Sequence, residues 1–259
     1  MWYNLGQKMA SEISRRDMLK QMALAFGALV LPQADSRAPA GRVFLDVPFH
    51  WQLRTLSCEA AALRMAARYF GAAWSESELL RRMPTDATQP EAIGDQVIWA
   101  DPNRVFPGNV NGWQLYRGGI WEYPERSRQH LWGYGMHGPA IANLATRIGL
   151  RAEVLHGIGD VYDSIDRGRV PIVIVPDGGK AEARLWMWHT RNGQAVPVMN
   201  REHSVVVKGY SGDQVWVNDP KGKVARYDRV DFERAFSLLR SGVAIGPGYR
   251  ISPGRYFAL

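Results

Sequence analysis

Four residues of this chain have the types and spacing for acyl-transfer chemistry. Cys58 is the only cysteine among 259 residues, so no disulfide can form within the chain. Its thiolate would be a nucleophile. His203 opens the apolar run Glu202-His203-Ser204-Val205-Val206-Val207, and Asp219 closes the run Gln214-Val215-Trp216-Val217-Asn218-Asp219-Pro220. An imidazole can take the thiol proton and return it to a leaving group, while a carboxylate orients the ring and balances the imidazolium charge. Gln52 lies six residues before Cys58, where a side-chain amide could join the Cys58 backbone N–H as donor to the developing oxyanion. Each residue also has an ordinary reading. A lone cysteine is commonly a small buried hydrophobe, and a loop glutamine needs no special role. The combination carries the chemical reading.

The elements that must position these groups can be read from patterning. Ala60 to Phe70 is rich in helix formers, and Gly71 stops it. Ser57 is expected as its N-cap, which sets Cys58 in a first turn where the helix dipole lowers a thiol pKa. Ser75-Glu76-Ser77-Glu78 predicts a capping box opening a second helix to about Met83. Glu202–Tyr210 and Gln214–Asp219 form a β-hairpin around Ser211-Gly212-Asp213. A three-residue turn sets Tyr210 opposite Gln214 and Val205 opposite Asp219. His203 and Asp219 then share a face as diagonal neighbours. One residue more or less in the loop reverses that parity.

Elsewhere, Arg42 to Val47 alternates as a short first strand ended by Pro48. Helices are expected over Ala140–Arg147, Asp160–Arg167 and Arg229–Leu239. Strands are expected over Leu150–Leu155, Val170–Pro176 and Gly242–Ile245, the second of them a buried β-branched run. Residues 84–137 and 177–199 read as irregular, Gly- and Pro-punctuated excursions rich in Trp and Tyr. The longer one is expected either to wall a substrate cleft or to pack as a surface loop.

Several function classes are disfavoured. The net charge is +7, but the basic residues form no long run, so nucleic acid is not an expected partner. No His-x-x-x-His pair occurs and there is one thiol, so neither metal nor cofactor is expected. Gly178-Gly179-Lys180 lacks the spacing of a phosphate loop. His50, near the cysteine turn, is the one other histidine with a candidate accessory role.

Residues 1–40 read as an export signal and linker. Ser14-Arg15-Arg16-Asp17-Met18-Leu19-Lys20 precedes an apolar run from Met22 to Leu31, and Ala38-Pro39-Ala40 follows. The run is too short for a comfortable membrane span, so no stable span is expected after signal removal. The paired arginines resemble the twin-arginine class, which makes that export machinery an expected partner and the periplasm or exterior the expected location. An amphipathic N-terminal helix and a retained anchor are the alternatives, and Met9 is a second candidate start.

Gln52-x5-Cys58-Glu59-Ala60-Ala61 before a helix, with Leu45-Asp46-Val47-Pro48 ahead of it, resembles papain-like cysteine peptidases and, more closely, the C39-like peptidase family. Tyr134-Gly135 before Pro139, Pro171-Ile172-Val173, Glu202-His203-Ser204 through Tyr210 and Val215-Trp216-Val217-Asn218-Asp219-Pro220 continue the resemblance over about residues 43 to 245. It implies an α+β, papain-like cysteine peptidase fold over 41–259, with a helical lobe carrying the nucleophile helix packed on an antiparallel sheet. It implies Cys58 as nucleophile, His203 as base and acid, Asp219 as orienting acid and Gln52 as oxyanion residue, acting on a peptide or protein substrate. C39 domains fused to transporters cut leader peptides after Gly-Gly and carry Gly where this chain has Glu59. An exported thiol peptidase is the leading expectation. An acyltransferase or cell-wall amidase using the same residues is the second, and a non-catalytic peptide-binding module is the third.

Overall fold

The computed structural model describes residues 43–116, 119–122 and 131–248. The expected export segment over 1–40, and the side chains of Trp121 and Tyr123, lie outside the described residues.

The body is a mixed α/β fold built on a seven-stranded sheet. Its strands are β1 (Val43–Phe44), β2 (Arg151–Leu155), β3 (Val170–Pro176), β4 (Glu202–Ser211), β5 (Gln214–Asp219), β6 (Lys223–Asp228) and β7 (Gly242–Gly246). They lie in the order β6-β5-β4-β3-β7-β2, and β1 pairs with the far half of β4. Every pairing in this sheet is antiparallel. Strand β3 is central, and all of its side chains are buried, as its β-branched run requires. Its prolines bracket the ladder to β4, where a missing N–H does least harm: Pro176 pairs with Glu202 at one end, and Pro171 lies just past Ile172 at the other. Strand β6 has no counterpart in the sequence reading, which ended the hairpin at Pro220.

Among the described residues, five helices of seven or more residues accompany the sheet: α1 (Cys58–Tyr69), α2 (Glu76–Arg82), α3 (Gly138–Arg147), α4 (Ile158–Asp166) and α5 (Arg229–Ser237). Helix α1 packs on β4 and β3. Its contact face is mostly alanine (Ala60, Ala61, Ala62, Ala66 and Ala67 are all buried), and these small side chains let the helix come close to the sheet. Leu63 and Met65 fill the remaining space. Gly71 ends the helix at φ 80°, a left-handed conformation that a residue with a Cβ rarely adopts. The capping box of Ser75 and Glu78 at α2 is formed as expected. Ser57 occupies the N-cap position of α1, but its side chain does not cap the helix. Its hydroxyl donates instead to Glu76 at 2.6 Å.

The described residues of the two aromatic excursions include paired strands, which corrects the reading of those stretches as irregular. Leu185–His189 and Ala195–Met199 pair as an antiparallel hairpin, joined by Gln96–Ile98 and then Glu91–Ile93. A second small core forms here from Trp99, Trp132, Tyr134, Trp186 and Trp188 with Val97, Leu115, Val196 and Val198. Three of these rings find backbone partners for their polar atoms, Trp99, Trp188 and Tyr134, while the indole nitrogens of Trp132 and Trp186 are buried without one. Trp99 Nε1 donates to Thr88 O at 2.7 Å, and Tyr134 Oη accepts from Met199 N at 2.9 Å. These aromatics are packing residues, not an open cleft wall.

Candidate active site

The hairpin β4–β5 reaches the expected site geometry by an unexpected route. Ser211 pairs with Gln214, so the turn has two residues, Gly212 and Asp213, with Gly212 at φ 54°. Tyr210 consequently faces Val215, not Gln214. The parity is then restored by a register shift between Val207 and Gly209, where Lys208 is the extra residue. Below this bulge Val206 faces Asn218, the register that a three-residue turn would have given without a bulge. His203 and Asp219 therefore do project from one face. His203 Nε2 lies 2.6 Å from Asp219 Oδ1, and both residues are buried.

Asp219 also accepts from the Lys221 N–H at 2.9 Å. Burial acts to raise its pKa, but the His203 hydrogen bond and charge, together with Lys221, outweigh it and hold the carboxyl below its ordinary value. Lys221 is paired with Asp177 at 2.9 Å. Since Nε2 serves Asp219, the remaining nitrogen of His203, Nδ1, is available as an acceptor. It is buried and has no hydrogen-bond partner.

Cys58 is the first residue of α1 and is 5 % exposed. Its sulfur is reached by the backbone N–H of Ser204, the residue next to His203. The thiol lies 3.4 Å from Glu59 Oε2, to which it donates. The expectation of a lowered thiol pKa is reversed. Burial pushes it well up, and the neighbouring Glu59 and Glu202 carboxylates push it further, while the Ser204 amide and Lys221 oppose them. Burial of the sulfur, and after it the two buried acids beside it, outweigh the partial charge at the helix start.

Gln52 stands at the same corner, its backbone N–H bonded to Pro220 O at 2.9 Å. Its Nε2 donates to Arg54 O at 2.8 Å and to Thr55 O at 2.9 Å, while Oε1 is buried without a partner. Both amide hydrogens thus hold the loop. Donation to a substrate oxyanion requires the amide to turn away from these carbonyls.

Three groups around the site had no role in the sequence reading. Glu76, buried at the start of α2, accepts from Leu53 N at 2.9 Å, Ser57 Oγ at 2.6 Å and His50 Nε2 at 2.8 Å. It clamps the loop that delivers Cys58 and gives His50 a positioning contact. Glu202 precedes His203 and lies buried near Glu59 and Cys58, and Lys221 follows the Asp219-Pro220 corner. A charged residue at a position that the pattern buries was the available signal for Glu202. Potential ligand atoms of Cys58, Glu59 and Glu202, and of Asp177, His203 and Asp219, lie within 4.8 Å of one another in each group. The second group is already balanced by the His203 and Lys221 contacts.

Comparisons with known proteins identify relatives of this chain. A curated relative, the uncharacterized protein YvpB of Bacillus subtilis (strain 168), is 29% identical over 193 residues, covering 73% of this chain and 68% of YvpB. A crystal structure from Bacillus anthracis, described as a C39-like peptidase, superposes with a TM-score of 0.65 at 22% identity. The match covers 79% of this chain and 97% of that one, and shows a shared fold. A double glycine motif protease from an AMS/PCAT transporter, solved with its leader peptide, aligns over 80% of this chain and 97% of its own, with a TM-score of 0.42 and 16% identity. The model of the Peptidase C39 like family matches residues 44–243, and the chain belongs to that family.

Proposed function

We propose that the chain is a cysteine peptidase that hydrolyses peptide or amide bonds through Cys58, His203 and Asp219. The observation that carries this reading is the buried His203–Asp219 pair at 2.6 Å, whose neighbouring Ser204 amide reaches the Cys58 sulfur. His203 Nδ1 takes the thiol proton as the sulfur attacks the carbonyl carbon, and the carbonyl π electrons move onto oxygen. The first N–H groups of α1 are spare donors at a helix start and serve that oxyanion, joined by Gln52 once its amide has turned. Collapse of the intermediate expels the amine, which takes the proton back from His203 and leaves a thioester on Cys58. A water molecule, deprotonated by His203, then releases the acid. Asp219 holds the ring through Nε2 in both steps.

The substrate reaches the site outside the cytoplasm in this reading, because Arg15-Arg16 and the apolar run after them form a twin-arginine-type signal. Among the described residues no helix is long and apolar enough to cross a membrane.

The decisive experiment is cleavage of a peptide library by the full chain, with Cys58→Ser and His203→Ala as controls. Cleavage that both variants abolish is the expected result. Cleavage that survives Cys58→Ser would falsify the assignment. Transfer of the acyl group to an added amine, in place of water, would identify an acyltransferase. Export is tested by Arg15→Lys with Arg16→Lys: the double variant is expected to stay in the cytoplasm, and unchanged export sinks the signal reading.

A further inference from the structure

Behind Cys58, the side chains of Glu59 and Glu202 are buried together, at 0 % and 2 % exposure. Among the described residues their hydrogen bonds run to neutral donors. Glu59 Oε1 accepts from Met136 N at 2.5 Å, and its Oε2 accepts from the Cys58 thiol. Glu202 Oε2 has only a long contact of 3.5 Å with Gln114 Nε2, and Glu202 Oε1 has no partner. Gly135 runs between the two carboxylates. A Cβ there would fall 2.2 Å from Glu202 Oε2 and 2.6 Å from Glu59 Oε1, so the backbone fits only because it has no side chain.

Carboxylate oxygens of both residues and the Cys58 sulfur lie within 4.8 Å of one another. Two unit charges about that far apart repel by roughly 3 kcal/mol even at an effective dielectric near 20. Both acids are therefore not charged together near neutral pH, and a thiolate adds a further negative charge beside the one that remains. The groups facing this cluster are Tyr134 on the segment before α3 and Lys221 after β5, and His203 follows Glu202 directly on β4. Lys221 is the only cation of these fixed in charge, and it is shared with Asp177 and Asp219.

Resting on the peptidase reading, we propose that Glu59 and Glu202 act as an electrostatic restraint on the nucleophile. The charge they carry keeps Cys58 a thiol directed at Glu59, and neutralising it frees the thiol proton for His203. In the balanced step, solvent supplies a proton to the carboxylate, the S–H bond breaks, and an N–H bond forms at His203 Nδ1. The directions of the acid shifts agree. Burial raises Glu59 to about 7, and burial followed by the Glu59 charge raises Glu202 well above its ordinary value. Glu59 touches the reacting sulfur, whereas Glu202 acts through Glu59.

The test is the rate of Cys58 alkylation by iodoacetamide in the full chain, from about pH 5 to pH 10. Because a single remaining acid would carry the one negative charge of the pair, the double variant Glu59→Gln with Glu202→Gln is the one expected to move the alkylation curve to lower pH and to raise the rate at pH 7 by about tenfold. A double-variant curve that overlays the unmodified protein's overturns the proposal. His203→Ala, run alongside, reports separately on the peptidase reading, which fails if that curve is unchanged while the double variant still shifts. Should the double variant not fold, infrared spectroscopy of the unmodified protein decides. A carboxylic-acid C=O band persisting at pH 7 supports the restraint, and its absence overturns it.

Discussion

His203 meets Asp219 at 2.6 Å because the bulge at Lys208 cancels the effect of a turn one residue shorter than the pattern suggests. Side chains alternate with a period of two along a strand, so without the bulge every residue of β4 below Lys208 would face the other way. The site depends on this compensation, and Asp219 is where it can be probed. Asp219→Asn keeps the shape of the pair but removes the charge that steadies an imidazolium. A fall in kcat of about a thousandfold or more, with unchanged circular dichroism, is expected. A loss below tenfold would remove Asp219 from the mechanism.

Glu76 predicts a stability effect. Glu76→Ala strips partners from the buried Ser57 hydroxyl, the Leu53 N–H and His50. Breaking such a buried network costs about 3 kcal/mol or more, measured by urea unfolding. The loop ahead of Cys58 should loosen as well, so activity should fall further than stability alone explains. A cost under about 1 kcal/mol would mean that other contacts hold the loop.

The second core makes a contrasting case. Trp188 is fully buried against Trp99 at 5.1 Å and Tyr134 at 4.9 Å between ring centroids. Trp188→Ala is expected to cost about 3–5 kcal/mol. Tyr134→Phe, which removes only the bonds to Met199, should cost about 1 kcal/mol. Neither should alter KM in the fraction that stays folded. A raised KM with normal stability would return these aromatics to the substrate cleft.

The buried acids also predict how stability responds to pH. Glu59 is raised from 4.5 to about 7 in the folded state, so between those values the folded chain holds a proton that the unfolded chain has lost. Stability from this group is full below the unfolded value and is lost as pH rises through about 7. Asp219 is lowered, and its contribution is lost at the acid end instead, as pH falls through its folded value. Urea midpoints should therefore decline between about pH 5 and pH 8, and Glu202→Gln should flatten that decline. A rise across the window would contradict the burial of these acids as charged-state liabilities.

Much of the site was legible in the residues themselves. A lone Cys58 before an alanine-rich helix, His203 and Asp219 on consecutive β-patterned runs, the Ser75–Glu78 capping box and the buried strand β3 are local signals, and local signals survive folding when packing agrees with them. The proposed export signal rests on the sequence alone. Tertiary structure decided what depends on distant partners. It spent the Ser57 hydroxyl on Glu76 instead of the helix cap, turned the Gln52 amide toward its own loop, and folded the aromatic excursions into a second core. It also set Glu202 beside Glu59, from segments 143 residues apart in the chain. The sign of the Cys58 shift followed from that last placement. A helix start lowers a thiol pKa by a fraction of a charge, whereas burial beside two carboxylates raises it by desolvation and nearly a full charge. Only the fold determines which neighbours the sulfur has.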